Sequence, residues 1–350
     1  MLFYFDAVQK IWLSASDVDT NNADTNNVDT NNADTSDGLS LASMGDSSAQ
    51  SNSSAQFEKG AQFDRGLQFG DGVFETLRLN CLGQSPLLAL HRERCLEGVA
   101  ALRFSPTAIG LVEAALDELP AQLVRAKEAI AAHSGTGQEQ EYGAKLIVTR
   151  GQGPRGYGAS TELKPTILLT LFSTSPLEMG PRLRIGVSDV RLGRQPLLAG
   201  HKHLNRLEQV LARQSFAADW HEALMLSDSG EVIEGCMSNV FVKHGNEWLT
   251  PELTHCGVRG VVRQWWLNPR GAGSSVKGQS AKAVRLSLDD VLSADALVMT
   301  NSLMGVRPVS ELLLPESGDV TLFPDQGLQD ADAIQQAYGS LFDITDSVER

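Results

Sequence analysis

Along this chain, apolar residues alternate with polar ones in short runs and recur at three- and four-residue spacing in others, and each change of rhythm marks an element. MLFYFDAVQKIWLSAS opens as a strand: it lacks the basic start of a signal peptide, and Asp6 and Lys10 interrupt its apolar run. GVFETLRLN and SPLLAL flank a turn at Gly83 in the manner of a hairpin. HRERCLEGVAALRF and PTAIGLVEAALDELPAQLVRAKEAIAAH carry helical spacing, and AKLIVTRG and TILLTLFS read as strands. Downstream lie a strand, RLRIGVSDVRL, and a helix, LNRLEQVLARQSF, expected to bury Leu204, Leu207 and Leu211 on one face. Two strand pairs follow, EALMLSDSGEVIEG turning at Gly230 and NVFVKHGNEWLTP turning at Gly245. No run approaches the roughly 18 apolar residues of a membrane-spanning helix.

The 350 residues, 42% of them hydrophobic, suffice for two domains. The Pro- and Gly-bearing STSPLEMGP, residues 173–181, reads as the linker between a unit at 1–172 and a unit at 182–350. The first unit is interrupted at 17–59, where the pentapeptide repeat VDTNN ADTNN VDTNN ADTSD runs into a Ser/Gln-rich tract. So few large apolar groups leave chain entropy unopposed, so disorder is expected there, and removal of residues 18–55 should leave turnover largely intact. Asp and Asn oxygens could bind calcium, but the glycines and bidentate Glu of a calcium loop are missing. Asp17, Asp19, Asp24, Asp29, Asp34, Asp37 and Asp46 supply seven of the 14 net negative charges, which leaves the rest mildly acidic. Such a charge argues against nucleic acid or an anionic membrane as partner. Cys81, Cys95, Cys236 and Cys256 are scattered without metal-ligand spacing, so neither zinc nor a disulfide framework is indicated and a reducing cytoplasm fits.

Candidate chemistry gathers in GRQPLLAGHKHLNRLEQVLAR, where Lys202 stands at a junction between strand and helix that can aim an amine into a cleft. A lysine before a helix is more often a solvated surface residue, and Glu234 by itself reads as an exposed hairpin residue. CGVRGVVRQ places Gly257, Val258 and Arg259 where a helix begins, so that backbone N–H groups there could cradle a phosphate. RGQGPRGYG is an arginine- and glycine-rich loop whose guanidinium could grip a carboxylate through two parallel hydrogen bonds.

Four separated blocks, DRGLQFGDGVFETLRL, KHLNRLEQVLAR, EALMLSDSGEVIEGCMSNVF and TPELTHCGVRGVVRQ, together resemble the class IV aminotransferases over about residues 62–310, and within them the aminodeoxychorismate lyases. The resemblance implies an α+β protein of the fold-type IV class, with a small N-terminal α/β domain and a larger C-terminal domain with a β-barrel-like core. It implies pyridoxal 5'-phosphate as cofactor, with Lys202 as the Schiff-base lysine and proton carrier. Glu234 becomes the partner of the ring nitrogen, Asn239 stands in the same block, and Gly257, Val258, Arg259, Thr300, Asn301, Ser302 and Arg94 become the phosphate and cofactor contacts. Arg155 and Tyr157 become candidate substrate clamps, Thr76 a helper in protonation, and Arg191, Arg194 and Lys145 further basic candidates. The implied reaction converts 4-amino-4-deoxychorismate into 4-aminobenzoate and pyruvate for folate biosynthesis, in a homodimer. A D-amino-acid or branched-chain transaminase of the same fold would share the cofactor groups, and a non-catalytic binding protein is disfavoured by the intact Lys202 and Glu234. Two departures from the family pattern are the insertion at 17–59 and the break at Pro269 in WWLNPRGAGSS, which should make a surface loop.

Overall fold

The computed structural model describes residues 2–6, 11–14, 61–134, 141–177, 180–268, 280–314, 317–323 and 325–343; the insertion at 17–59 and the loop after Pro269 lie outside them. The first half is a five-stranded antiparallel sheet of β1 (Leu2–Asp6), β2 (Ile11–Ser14), β3 (Gly72–Leu79), β4 (Tyr142–Thr149) and β5 (Thr166–Ser173). The strands lie in the order β2-β1-β5-β4-β3. The opening segment is thus a hairpin of two strands rather than one.

Period-two alternation gives this sheet two unlike faces. Val73, Leu77, Leu146, Val148, Ile167 and Leu169 pack against helices α2 (Leu88–Ala101) and α3 (Pro106–Ser134), through Cys95, Val99, Val112, Leu116, Leu119 and Leu123. The other face carries Phe74 and Thr76 of β3, with Lys145 standing opposite Thr76 on β4. SPLLAL is not the second strand of a hairpin. β3 pairs along its whole length with β4, and the Gly83 turn leads into α2 instead. Leu87 and Leu90 are drawn into a separate apolar cluster with Trp265 and Tyr338, which a strand beside β3 could not reach.

A second sheet begins at β6 (Leu183–Leu192), after the 173–181 stretch. It continues through β7 (Glu222–Ser227), β8 (Val232–Gly235), β9 (Asn239–His244), β10 (Glu247–Pro251), β11 (Ala281–Val284), β12 (Ala296–Asn301), β13 (Gly305–Leu313) and β14 (Val320–Leu322). Gly230 (φ 83°) and Gly245 (φ 60°) occupy the left-handed turn positions of the two hairpins, as their sequence indicates. The strand order is β11-β10-β9-β12-β13-β6-β7-β8, with parallel contacts at β10–β11, β13–β6 and β6–β7. Because β8 also touches β9 and β10, the sheet curls on itself around a core that includes Ile185, Leu224, Val240, Leu297 and Val309. Helices α5 (Val261–Leu267) and α7 (Asp325–Gly339) close one side over Phe241 and Trp248, and the short α6 (Leu288–Leu292) contributes Val291 to the inner core. Helix α5 stops at Leu267, ahead of Pro269, as expected of a residue that cannot continue a helix.

Helix α4 (Leu207–Gln214) departs from the sequence reading. Leu207 and Leu211 are 75% and 54% exposed, and only Ala212 of the helix is buried. Leu204 does not belong to the helix at all, because its N–H is engaged by the Gly72 carbonyl of β3. Among the described residues no helix is long and apolar enough to cross a membrane, and no group of potential metal ligands forms.

Candidate active site

The stretch from Gly200 to Leu204 is stitched by backbone hydrogen bonds to β3 at one end and to the 257–259 loop at the other. Phe74 donates to the Lys202 carbonyl (2.9 Å), Leu204 donates to Gly72 (2.9 Å), and Val73 and His203 face each other as an isolated bridge. At its other end Gly200 donates to Gly257 (2.8 Å), while Arg259 donates back to Gly200 (3.0 Å). Gly200 has φ 84°, a conformation that favours glycine, and a Cβ there would also displace the Arg259 side chain, whose Nε lies 2.2 Å from that position. The Lys202 side chain is thereby aimed across the Phe74 ring, its Nζ 4.3 Å from the centroid. Burial first, and then the charge of Arg94, pull its ammonium down to about 7, against the opposing influence of Glu75. A lysine so tuned is about half neutral near pH 7 and can act as nucleophile or base.

Glu234, on β8 opposite Met225, is buried rather than an exposed hairpin residue. Its Oε2 accepts the Val258 N–H at 2.7 Å, and burial pushes its carboxyl up to about 7 despite the nearby Arg206. Asn239 pins the same loop, accepting from Gly260 (3.0 Å) and donating to the Val258 carbonyl (2.7 Å). The expectation that the Val258 and Arg259 amides stand free for a phosphate therefore needs correction, since Glu234 and Gly200 already accept from them. Side chains supply further anion-binding groups at this corner. Arg94 of α2 lies buried beside the loop and donates to the Arg259 carbonyl at 3.1 Å. Thr300, facing Asn239 across β12 and β9, holds a buried hydroxyl without a hydrogen-bond partner among the described residues. Asn301 spends its side chain on the turn after β12, accepting from Leu303 (3.0 Å) and Met304 (2.9 Å), and the Ser302 carbonyl accepts from Tyr338 (2.8 Å).

Other residues were not singled out from sequence. Arg206 braces the lysine stretch by donating to the carbonyls of His203 (2.8 Å) and His201 (3.1 Å), and its place four residues after Lys202 was the available signal. Arg65 grips Asp71 (2.9 Å) and donates to the carbonyls of Gly156, Tyr157 and Gly158 at 3.1, 2.9 and 3.1 Å. The RGYG loop is thus held by its backbone. Arg155 and Tyr157 turn their side chains outward, Tyr157 being 87% exposed, and neither contacts the lysine cleft of the same chain. Arg191 and Arg194 are likewise exposed.

Against this geometry, the family model "Amino-transferase class IV" matches residues 72–312, more than half of the chain and all the groups just described from β3 to β12. The chain belongs to the class IV aminotransferase family. Among its relatives, an aminodeoxychorismate lyase of Vibrio harveyi is 38% identical over 190 residues, covering 53% of this chain and 69% of that protein. A putative branched-chain-amino-acid aminotransferase of Methanocaldococcus jannaschii is 30% identical over 246 residues, covering 69% and 79%. Among solved structures, the 4-amino-4-deoxychorismate lyase of Pseudomonas aeruginosa superposes with a TM-score of 0.62 at 34% identity, covering 78% of this chain and 93% of that one.

The residues of this class IV aminotransferase fit pyridoxal 5'-phosphate on their own chemistry. An aldehyde needs a neutral amine, supplied by Lys202; a protonated ring nitrogen needs a buried carboxylate, supplied by Glu234; and a phosphate needs cations and hydroxyl donors, supplied by Arg94 and the unpartnered Thr300.

Proposed function

We propose that this class IV enzyme is an aminodeoxychorismate lyase, splitting 4-amino-4-deoxychorismate into 4-aminobenzoate and pyruvate for folate biosynthesis. The observation that carries the reading is the pair of ammonium groups on one aromatic ring: Lys202 at 4.3 Å and Lys145 at 5.2 Å from the Phe74 centroid. Lys145 makes no ion pair among the described residues, so it can meet a carboxylate of a dicarboxylate substrate while Lys202 serves the reacting carbon. The 38% and 34% identity to the Vibrio harveyi and Pseudomonas aeruginosa lyases, above the 30% to the Methanocaldococcus jannaschii aminotransferase, supports the same choice, although a Bacillus subtilis aminodeoxychorismate lyase is only 27% identical.

Bound pyridoxal phosphate supplies the electron sink that acidifies the substrate's C4 proton. Lys202 takes that proton, and the enolpyruvyl ether oxygen leaves from the neighbouring carbon as the ring becomes aromatic. Thr76, opposite Lys145 in the strand register and on the same face as Phe74, is placed to pass a proton to the departing enol carbon, giving pyruvate. Glu234 holds the ring nitrogen's proton, while Arg94, Arg259 and Thr300 hold the phosphate end. Asn301 and Ser302 shape the turn beside it, and the Gly257–Val258 backbone keeps Glu234 in place. Arg155 and Tyr157 serve the substrate only if the loop closes over a cleft, that of this chain or of a second copy.

A homodimer is part of the proposal, supported by the exposed apolar residues Leu197, Leu207, Val210 and Leu211 on and before α4. Four unpaired cysteines support a reducing, cytoplasmic setting. The test is to incubate the pyridoxal phosphate-loaded protein with aminodeoxychorismate and measure 4-aminobenzoate and pyruvate together, with Lys202→Ala as control. Equal release of both, abolished by the substitution, is expected. Amino-group exchange between D-alanine or leucine and a 2-oxo acid, without either product, would make it a transaminase.

A further inference from the structure

The face of β3 turned away from the cleft holds a buried charged cluster of which the proposed reaction uses only Arg94, leaving Glu75 and His91 without a role. Glu75 is 1% exposed, His91 2% and Arg94 4%, beside an apolar layer that includes Val73, Leu77, Cys95 and Val99. The carboxylate takes Arg94 side-on, Nε to Oε1 at 2.8 Å and Nη2 to Oε2, and His91 Nδ1 meets Oε2 at 2.7 Å. Burial works to raise the Glu75 carboxyl, but the charge and hydrogen bonds of Arg94, with His91, outweigh it and hold it at about 2. Glu75 is therefore ionised, and the shared hydrogen belongs to His91 Nδ1. A buried ion pair is poor evidence of a stabilising device, because apolar residues of the same volume often do as well. What it fixes is direction. Of the five N–H bonds of a guanidinium, two are held by Glu75 and a third by the Arg259 carbonyl, which leaves two uncommitted beside the Gly257–Gly260 loop.

We propose that Glu75, braced by His91, is a positioning residue that orients Arg94 so that its remaining N–H bonds meet the cofactor's phosphate. The proposal rests on the reading of Arg94 as a phosphate anchor.

The test compares two ligands that differ only in the phosphate. Cofactor-free wild type, Glu75→Gln, Arg94→Gln and the double variant are titrated with pyridoxal phosphate and with pyridoxal, reading the absorbance of the bound ligand, with circular dichroism confirming the fold. Glu75→Gln is expected to weaken pyridoxal phosphate about 10- to 100-fold, the loss of about one charge-assisted hydrogen bond, and to leave pyridoxal unchanged. In the Arg94→Gln background the same substitution should add nothing. Equal weakening of both ligands, no weakening of either, or a full effect in the Arg94→Gln background would overturn the proposal. Arg94→Gln weakening both ligands alike would instead remove the phosphate reading of Arg94. If Glu75→Gln does not fold, His91→Gln replaces it, since it loosens the same carboxylate without stranding a charge. A smaller loss confined to pyridoxal phosphate is then expected, and an unselective loss or none counts against the idea.

Discussion

At the scale of single residues, the chemistry depends on where charges are allowed to be. With its ammonium held at about 7, Lys202 is mostly protonated at pH 6 and mostly neutral at pH 8. The rate at which cofactor-free protein captures pyridoxal phosphate should therefore rise about tenfold over that interval and level off above it. Stopped-flow absorbance would show it, and a rise continuing to pH 10 would mean an ordinary solvated lysine. Arg65 offers a second test, because a lysine in its place cannot serve three carbonyls at once. Arg65→Lys should speed tryptic cleavage after the exposed Arg155 about tenfold, and an unchanged rate would mean the loop is held by other contacts. Lys202, Glu234 and Asn239 could be singled out from the sequence because the family resemblance gives each a part. Arg65 and Glu75 stand in a resembling block too, but their partners lie far off in the chain, and a glutamate and a histidine sixteen residues apart say nothing of meeting until a strand and a helix are packed face to face.

At the scale of elements, rhythm located the long helices and most strands, and it failed where an apolar run was short. Leu204 and Leu207 share a helical spacing with Leu211, yet the backbone of Leu204 is taken by β3 and the helix behind it rests on little more than Ala212. The leftover face makes a prediction. Leu207→Glu with Leu211→Glu should leave the fold intact and shift a dimer towards monomer in sedimentation analysis, whereas an unchanged oligomer would place the interface elsewhere. Strand β6 tests packing from the opposite direction. The Trp220 indole lies flat on Gly186, where a Cβ would come within 2.0 Å of the ring. Gly186→Ala should cost about 1–3 kcal/mol and lower the melting temperature by several degrees in a thermal scan.

For the whole molecule, composition suggests a boundary at 173–181, just ahead of β6 at Leu183, but it gives no hint of the strand order of the larger sheet. Its parallel pairs join segments far apart in the chain, and nothing in the local pattern of β6 says that β13 and β7 will flank it. Nor does the pattern show that the lysine stretch is a firm tie between β3 and the 257–259 loop. If it is, the amides of Phe74, Gly200, Leu204 and Arg259 should exchange with deuterium as slowly as those of the core strands, and early exchange there would mean that the halves part readily. The stitching has a practical result. Any motion that separates the halves also dislodges the reactive amine, so the enzyme cannot come apart quietly: its catalytic signal should vanish at the first breach of its architecture, and residual turnover becomes a gauge of structural wholeness.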